Sequence, residues 1–258
     1  MNDESRETNA KWRDLLNGTA TDLVWARRLM RHIPSEPRCK LCLSPQSGIG
    51  APIVRLFGFG RYPQNPQLCN NCFRMATRWP GGAELEITAL FADIRGSTGI
   101  AESMPAAAYS AAVDAYVRTA SRAIRGSGGL IDKLLGDGVM ATFIPGIVGG
   151  ESAAPAVAAA RRLLREVSLP VGVGIHTGPA WVGFVGGIEE VLEFTALGDA
   201  VNVASRLGSE AGPGEILMST ATAAAAKVDP IARESRRLEL RGRSESLDVL
   251  SERVDPAG

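Results

Sequence analysis

The stretch Leu90–Glu102, "LFADIRGSTGIAE", passes from an apolar segment through a small polar turn, Arg95-Gly96-Ser97-Thr98, into residues that can open a helix. The apolar part stops on Asp93, so a segment built for burial ends on a carboxylate. Aspartates at such junctions cap helices or close turns, and in isolation that reading stands beside a functional one. Upstream, "ELEITALFAD" (Glu84–Asp93) predicts a strand. Downstream, "PAAAYSAAVDAYVRTASRAIRGSGG" (Pro105–Gly129) predicts a long helix stopped by glycines. Strand, turn and helix begin an alternating pattern.

The pattern continues. "LIDKLLGDGVMATFI" (Leu130–Ile144) predicts a hairpin, with Asp137-Gly138 as its tight-turn signal. "APAVAAARRLLREV" (Ala154–Val167) predicts a helix, and "VGVGIHTGPAWVGFVGG" (Val171–Gly187) one or two strands broken by glycine. "GDAVNVASRLGSEA" (Gly198–Ala211) predicts a short helix with Asp199 as N-cap. "RRLELRGRSESLDVL" (Arg236–Leu250) predicts strand, turn, strand. Together these segments predict an α+β domain, with helices packed on a mostly antiparallel sheet.

The 258 residues are 45% hydrophobic and 22% charged, enough for one sizeable core and a small appendage. Twenty-eight basic residues match 28 acidic ones, so no global charge draws the chain to a polyanion, and no nucleic acid is expected as partner. No run approaches the roughly 18 apolar residues of a transmembrane segment. The start, "MNDESRETNAKW", lacks a signal-peptide core, so a cytoplasmic protein is expected. Trp12, Leu15 and Leu16, then Leu23, Ala26, Met30 and Ile33, approximate one apolar helical stripe, with Arg27, Arg28 and Arg31 largely off it. Packing on the protein itself or on a dimer mate is favoured over a membrane-surface helix.

Four cysteines fall as Cys39-x2-Cys42 and Cys69-x2-Cys72. Two such pairs can give four thiolates to one tetrahedral ion, the pattern of a structural Zn2+ site. Redox exchange, an iron–sulfur cluster or four unrelated thiols are the alternatives. Zinc is favoured because the segment has little else to form a core. With Pro80-Gly81-Gly82 as boundary, the expected organisation is a helical segment over 1–38, a zinc-binding-like module and linker over 39–82, and the α+β domain over 83–258. The N-terminal module is a place for a regulatory partner.

Asp93 ends the first strand, and Asp137 sits at the hairpin between the next two. If those strands are sheet neighbours, both carboxylates reach one edge, and two hard oxygen ligands suit magnesium. Asn202 and Arg206 lie one helical turn apart, so they project from one face. An amide and a guanidinium pointing together can orient a sugar and neutralise a phosphoryl group. A solvent-facing surface arginine is the plain alternative for Arg206.

The motifs "LFADIRGST", "DKLLGDGVMATF", "GVGIHTGPAWVGFVG" and "ALGDAVNVASR" resemble, in this order, the successive signatures of class III nucleotidyl cyclases. The resemblance runs from about Glu84 to Val254. It implies a ferredoxin-like catalytic domain that forms a homodimer with its active sites at the interface. It also implies that Asp93, Asp137 and the Ile94 carbonyl hold two Mg2+ or Mn2+ ions per site. Lys133 matches the lysine that contacts the adenine ring, and Thr195 stands at the second base-selecting position. Asn202 matches the ribose-orienting asparagine and Arg206 the transition-state arginine. Arg241 or Arg243 stands where the family has a phosphate-binding lysine, a change that keeps the charge but alters the geometry. The expected activity is conversion of ATP to 3′,5′-cyclic AMP and pyrophosphate for intracellular signalling. A guanylate cyclase of this family would have glutamate at 133 and cysteine at 195, and neither is present. A pyrimidine cyclase and a catalytically weak scaffold with an interaction module are the rivals. His176 is expected to be structural.

Overall fold

Strand β1, Gly82–Ile94, exposes Glu84 and Glu86 near its start, and from Ile87 to Leu90 every residue is buried. A strand covered on both faces carries a continuous apolar run, which is why alternation fades along "ITALFAD". The computed structural model describes residues 3–20, 27–30, 32, 33, 35, 37–63, 68–186, 192–231, 233–239 and 246–255. The chain divides into two units. One comprises Met1–Leu85, Pro145–Gly150 and Trp181–Ala196; the other comprises Glu86–Ile144, Glu151–Ala180 and Leu197–Gly258.

In the first unit, helix α1 (Asp3–Asn17) buries Trp12, Leu15 and Leu16, as their spacing predicts. Trp12 Nε1 donates to the Trp79 carbonyl at 3.1 Å. The Trp12 ring meets Phe184 edge-on at 5.6 Å, and Phe184 leans on Phe194 at 5.2 Å. Further along this unit come the helices α2 (Ala51–Leu56) and α3 (Asn70–Arg78). Met30 and Ile33 are half-buried and Arg28 is exposed, whereas Leu23, Ala26 and Arg31 lie outside the described residues. Arg27 departs from expectation: it is 3% exposed. Its guanidinium tolerates burial by donating to the carbonyls of Leu41 (2.9 Å), Leu15 (3.0 Å) and Gly146 (2.9 Å).

Beyond β1 the chain runs through α4 (Ser97–Glu102), α5 (Ala106–Gly126), β2 (Leu130–Leu135), β3 (Gly138–Phe143), α6 (Pro145–Val148), α7 (Ala153–Glu166) and β4 (Val171–Gly186). It continues with β5 (Leu192–Leu197), α8 (Asp199–Glu210), β6 (Glu215–Ser219), α9 (Thr220–Ala225), β7 (Glu234–Leu238) and β8 (Leu247–Arg253). The sheet order is β2-β3-β1-β4-β6-β8-β7, with β5 paired to β4. β1–β3, β2–β3, β6–β8 and β7–β8 are antiparallel, and β4–β6 is parallel. This is the α+β, ferredoxin-like arrangement expected.

Three details differ from expectation. The predicted glycine-broken region is one strand of 16 residues, β4. Its Gly174 is no breaker: a Cβ there would lie 2.0 Å from the Gly208 nitrogen, so the glycine lets α8 lie directly on the strand. The N-cap of α8 is Gly198, and Asp199 is the acidic residue of the first turn, where it meets the positive end of the helix dipole. The hairpin turn is Gly136-Asp137, since Leu135 pairs with Gly138. Gly136 takes the left-handed conformation at φ 65°, and Gly138 already belongs to the strand.

The second unit's core includes Val203, Leu207, Ala211, Leu217 and Val249, and a face of α7 rich in buried alanine. Arg161 grips Glu252 with two bonds of 2.6 and 2.7 Å, and Arg233 adds a third at 2.9 Å. Burial raises the Glu252 carboxyl, but the two guanidiniums outweigh it and hold it below the usual range. A depressed carboxylate stabilises the fold fully above its unfolded value of about 4.3, and the contribution fades as pH falls through the lower folded value. Glu252→Gln is therefore expected to cost about 1–2 kcal/mol at neutral pH, discounted for solvent reaching the arginines. Denaturant titrations at pH 7 and pH 3 should show that gap narrowing in acid.

Among the described residues no helix is long and apolar enough to cross a membrane.

Candidate active site

The ladder pairs Asp93 of β1 with Gly138 of β3, so Asp137, one residue earlier, stands at the same sheet edge. A Cβ on Gly138 would lie 3.2 Å from Asp93 Oδ1, so glycine leaves the space that the carboxylate uses. The two acids predicted to converge do so. Asp137 Oδ2 is buried with no hydrogen-bond partner among the described residues. Burial pushes the Asp93 carboxyl above its usual range; the nearby Arg95 charge opposes this and Asp137 adds to it. A buried carboxylate oxygen without a donor, beside a second carboxylate, is a site short of positive charge. That donor set suits a hard divalent cation.

Two residues support this edge that sequence reasoning did not single out. Arg95 pairs with Asp93 through Nη2, donates to the Ser209 carbonyl through Nη1 at 2.8 Å, and its amide donates to the Pro170 carbonyl at 2.6 Å. It thus fixes Asp93 against the C-terminal end of α8. Tyr116, on the buried face of α5, donates its hydroxyl to the Ala92 carbonyl at 2.8 Å. Burial, and then the two carboxylates, raise its phenol far above the ordinary range, so it remains a donor. Arg95 was visible as a cation two residues after the acid. Tyr116 was hidden, because only the packing of α5 brings it under β1.

Ile94, the last residue of β1, is 2% exposed. Lys133 lies at an irregularity of β2, where the register shifts between Ile131 and Lys133, and its Nζ is 3.8 Å from Asp132 Oδ1. Such bulges re-aim a side chain. Thr195 lies on β5 in the first unit; it is buried, with Oγ1 3.5 Å from the Ala196 carbonyl. Asn202 is exposed and Arg206 half-buried on α8, four residues apart as predicted. The Arg206 guanidinium carries no hydrogen bond or ion pair among the described residues, and none links Asn202 or Arg206 to the two carboxylates. Arg241 and Arg243 lie outside the described residues. His176 bonds through Nδ1 to Ser219 Oγ at 2.8 Å, and that oxygen also caps α9 by accepting from the Thr222 amide.

Cys39, Cys42, Cys69 and Cys72 are all buried and joined by no disulfide, with sulfurs within 4.8 Å of one another, a grouping compatible with a metal site.

The family model for the adenylate and guanylate cyclase catalytic domain matches residues 151–250. The terminal-differentiation-specific adenylate cyclase of Dictyostelium discoideum is 41% identical over 131 residues, which are 46% of this chain and 6% of that protein. The adenylate cyclase of Anabaena cylindrica and relatives from Mycobacterium bovis are matched over 26–32% of their length, so this chain spans about a third of them or less. Among solved structures, the adenylyl cyclase CyaB from P. aeruginosa aligns with a TM-score of 0.59 at 29% identity, covering 67% of this chain and 95% of that one. The guanylyl cyclase Cya2 aligns with a TM-score of 0.59 at 28% identity, covering 66% and 93%.

Proposed function

We propose that this chain is a class III nucleotidyl cyclase, in line with the family model and solved structures it resembles, and that it converts ATP to 3′,5′-cyclic AMP and pyrophosphate at sites shared between two copies of itself. The observation that carries this reading is the meeting of Asp93 and Asp137 at one sheet edge, with a buried Asp137 oxygen lacking a donor among the described residues. Asp93, Asp137 and the Ile94 carbonyl would hold two Mg2+ or Mn2+ ions, which supply an acidified ribose 3′-hydroxyl and neutralisation of the triphosphate.

The protein's own residues do the rest. Asn202 orients the ribose, and Arg206 neutralises charge that develops on the α-phosphate. Arg241 or Arg243 meets the leaving phosphates. No protein nucleophile is needed, in keeping with the bonding of His176 to Ser219. A shared site is supported by an Arg206 guanidinium with no partner among the described residues of its own chain.

Lys133 and Thr195 carry the choice of base. Adenine presents an acceptor at N1 and a donor at N6, which suit an ammonium and a hydroxyl oxygen. Guanine presents N1–H, which faces Lys133 donor to donor. ATP is therefore expected to be turned over in preference to GTP by about 1–3 kcal/mol, roughly 5- to 150-fold. Lys133→Glu should damage ATP turnover and narrow that gap. Because relatives of both nucleotide types align with this chain, the test is incubation with each of the four ribonucleoside triphosphates and chromatographic identification of any cyclic product. Equal turnover of GTP or UTP would overturn the base assignment, and no product from any of them would favour the scaffold.

A further inference from the structure

The two cysteine pairs are delivered by different backbone devices. Around the first, the Cys39 amide donates to the Ser44 carbonyl and the Leu43 amide to the Cys39 carbonyl, both at 3.0 Å. Leu43 takes φ 61°, and an Arg38–Pro45 bridge closes the hairpin, so Cys39–Cys42 forms a tight knuckle. The second pair opens α3: Cys69 is its N-cap and Cys72 lies in its first turn. Backbone amides point at the sulfurs, Cys69 to Cys39 Sγ at 3.3 Å and Cys72 to Cys69 Sγ at 3.4 Å. Donors aimed at sulfur, together with a helix N-terminus, favour thiolate over thiol.

The spacing favours a single ion. Zn–S bonds of about 2.3 Å in a tetrahedron place sulfurs about 3.8 Å apart. The Cys42–Cys69 separation is 3.6 Å, far beyond a disulfide and matched to one ion. A cluster of several irons with sulfide between them would need a wider cage.

Four thiolates around Zn2+ carry a net double negative charge, costly among buried Leu41, Leu68 and Phe73. Two guanidiniums reach into this knuckle. Arg38 Nη1 donates to the Met30 carbonyl at 2.7 Å and the Leu43 carbonyl at 3.1 Å. Arg27 is the more deeply buried, and its bond to the Leu41 carbonyl holds it one residue from Cys42. A cation in such a place is stabilised by an anionic neighbour, and the tetrathiolate supplies one. Arg27 also holds the carbonyls of Leu15 and Gly146, so its charge lies where three separated chain segments of one unit meet.

We propose that Cys39, Cys42, Cys69 and Cys72 bind one Zn2+ as a buried tetrathiolate, and that Arg27 is the positioning residue that balances its charge. The full-length chain, purified without chelator, is expected to contain one zinc per chain. Cobalt exchanged into that site should show the visible absorption of a tetrahedral thiolate centre. Cys69→Ser should lose the metal. Arg27→Met should keep it on purification but bind zinc about 10- to 100-fold more weakly in chelator competition, and Arg27→Lys should recover part of the loss. Metal analysis of the wild type showing no zinc, a coloured iron-containing protein, or an absence of four titratable thiols after metal release would overturn the site. Unchanged zinc affinity in Arg27→Met would overturn the role of Arg27.

Discussion

Asp137→Asn is expected to lower cyclase turnover by on the order of 10²- to 10⁵-fold while leaving the melting temperature unchanged or raised. The two halves of this expectation have one origin. Asp137 Oδ2 is buried without a hydrogen-bond partner among the described residues, so removing its charge takes no observed bond from that oxygen. Its charge raises the Asp93 carboxyl, so neutralising it relieves repulsion at the sheet edge. An acid kept for the fold would behave in the opposite way, losing stability and sparing activity. Product formation by chromatography and a thermal melt on the same preparation separate the two roles. An active but destabilised variant would return Asp137 to the status of a turn residue.

A larger reversal is expected when two inactive variants share a dimer. Arg206→Ala should be as poor as Asp137→Asn, because it removes the guanidinium assigned to transition-state charge. If one subunit gives a site its carboxylates and the other gives it Lys133, Thr195, Asn202 and Arg206, both lesions of a mixed dimer fall in one site. The other site is then complete. Heterodimers isolated through two different tags should recover turnover approaching half the wild-type rate, if the sites are independent. Isolated heterodimers as inactive as their parents would rule out independent shared sites.

Much of this was legible in the sequence because the decisive signals are local. Asp93 and Asp137 were readable from a strand and a hairpin that proved to be neighbours. Asn202 and Arg206 needed only the pitch of a helix. What could not be read depends on contacts between distant segments. Arg95 reveals its purpose only when α8 brings the Ser209 carbonyl beside β1, and Tyr116 only when α5 covers Ala92. Glycine misled for a related reason. In β4 it looks like a breaker, yet Gly174 is present because α8 lies against the strand. Arg27 misled through charge, since a buried arginine is expected only where carbonyls or an anion wait for it.

The interleaving of the first unit bears on how such a protein could have been assembled over generations. Pro80-Gly81-Gly82 looks like a seam at which one gene segment was joined to another, yet Trp12 packs on Phe184 and, through it, neighbours Phe194. A recombination event at that seam would hand the incoming partner a strand end whose aromatic rings had lost their cover. Exchange of the front segment therefore requires matching changes a hundred residues downstream, and the two stretches are expected to be inherited as a pair rather than traded freely.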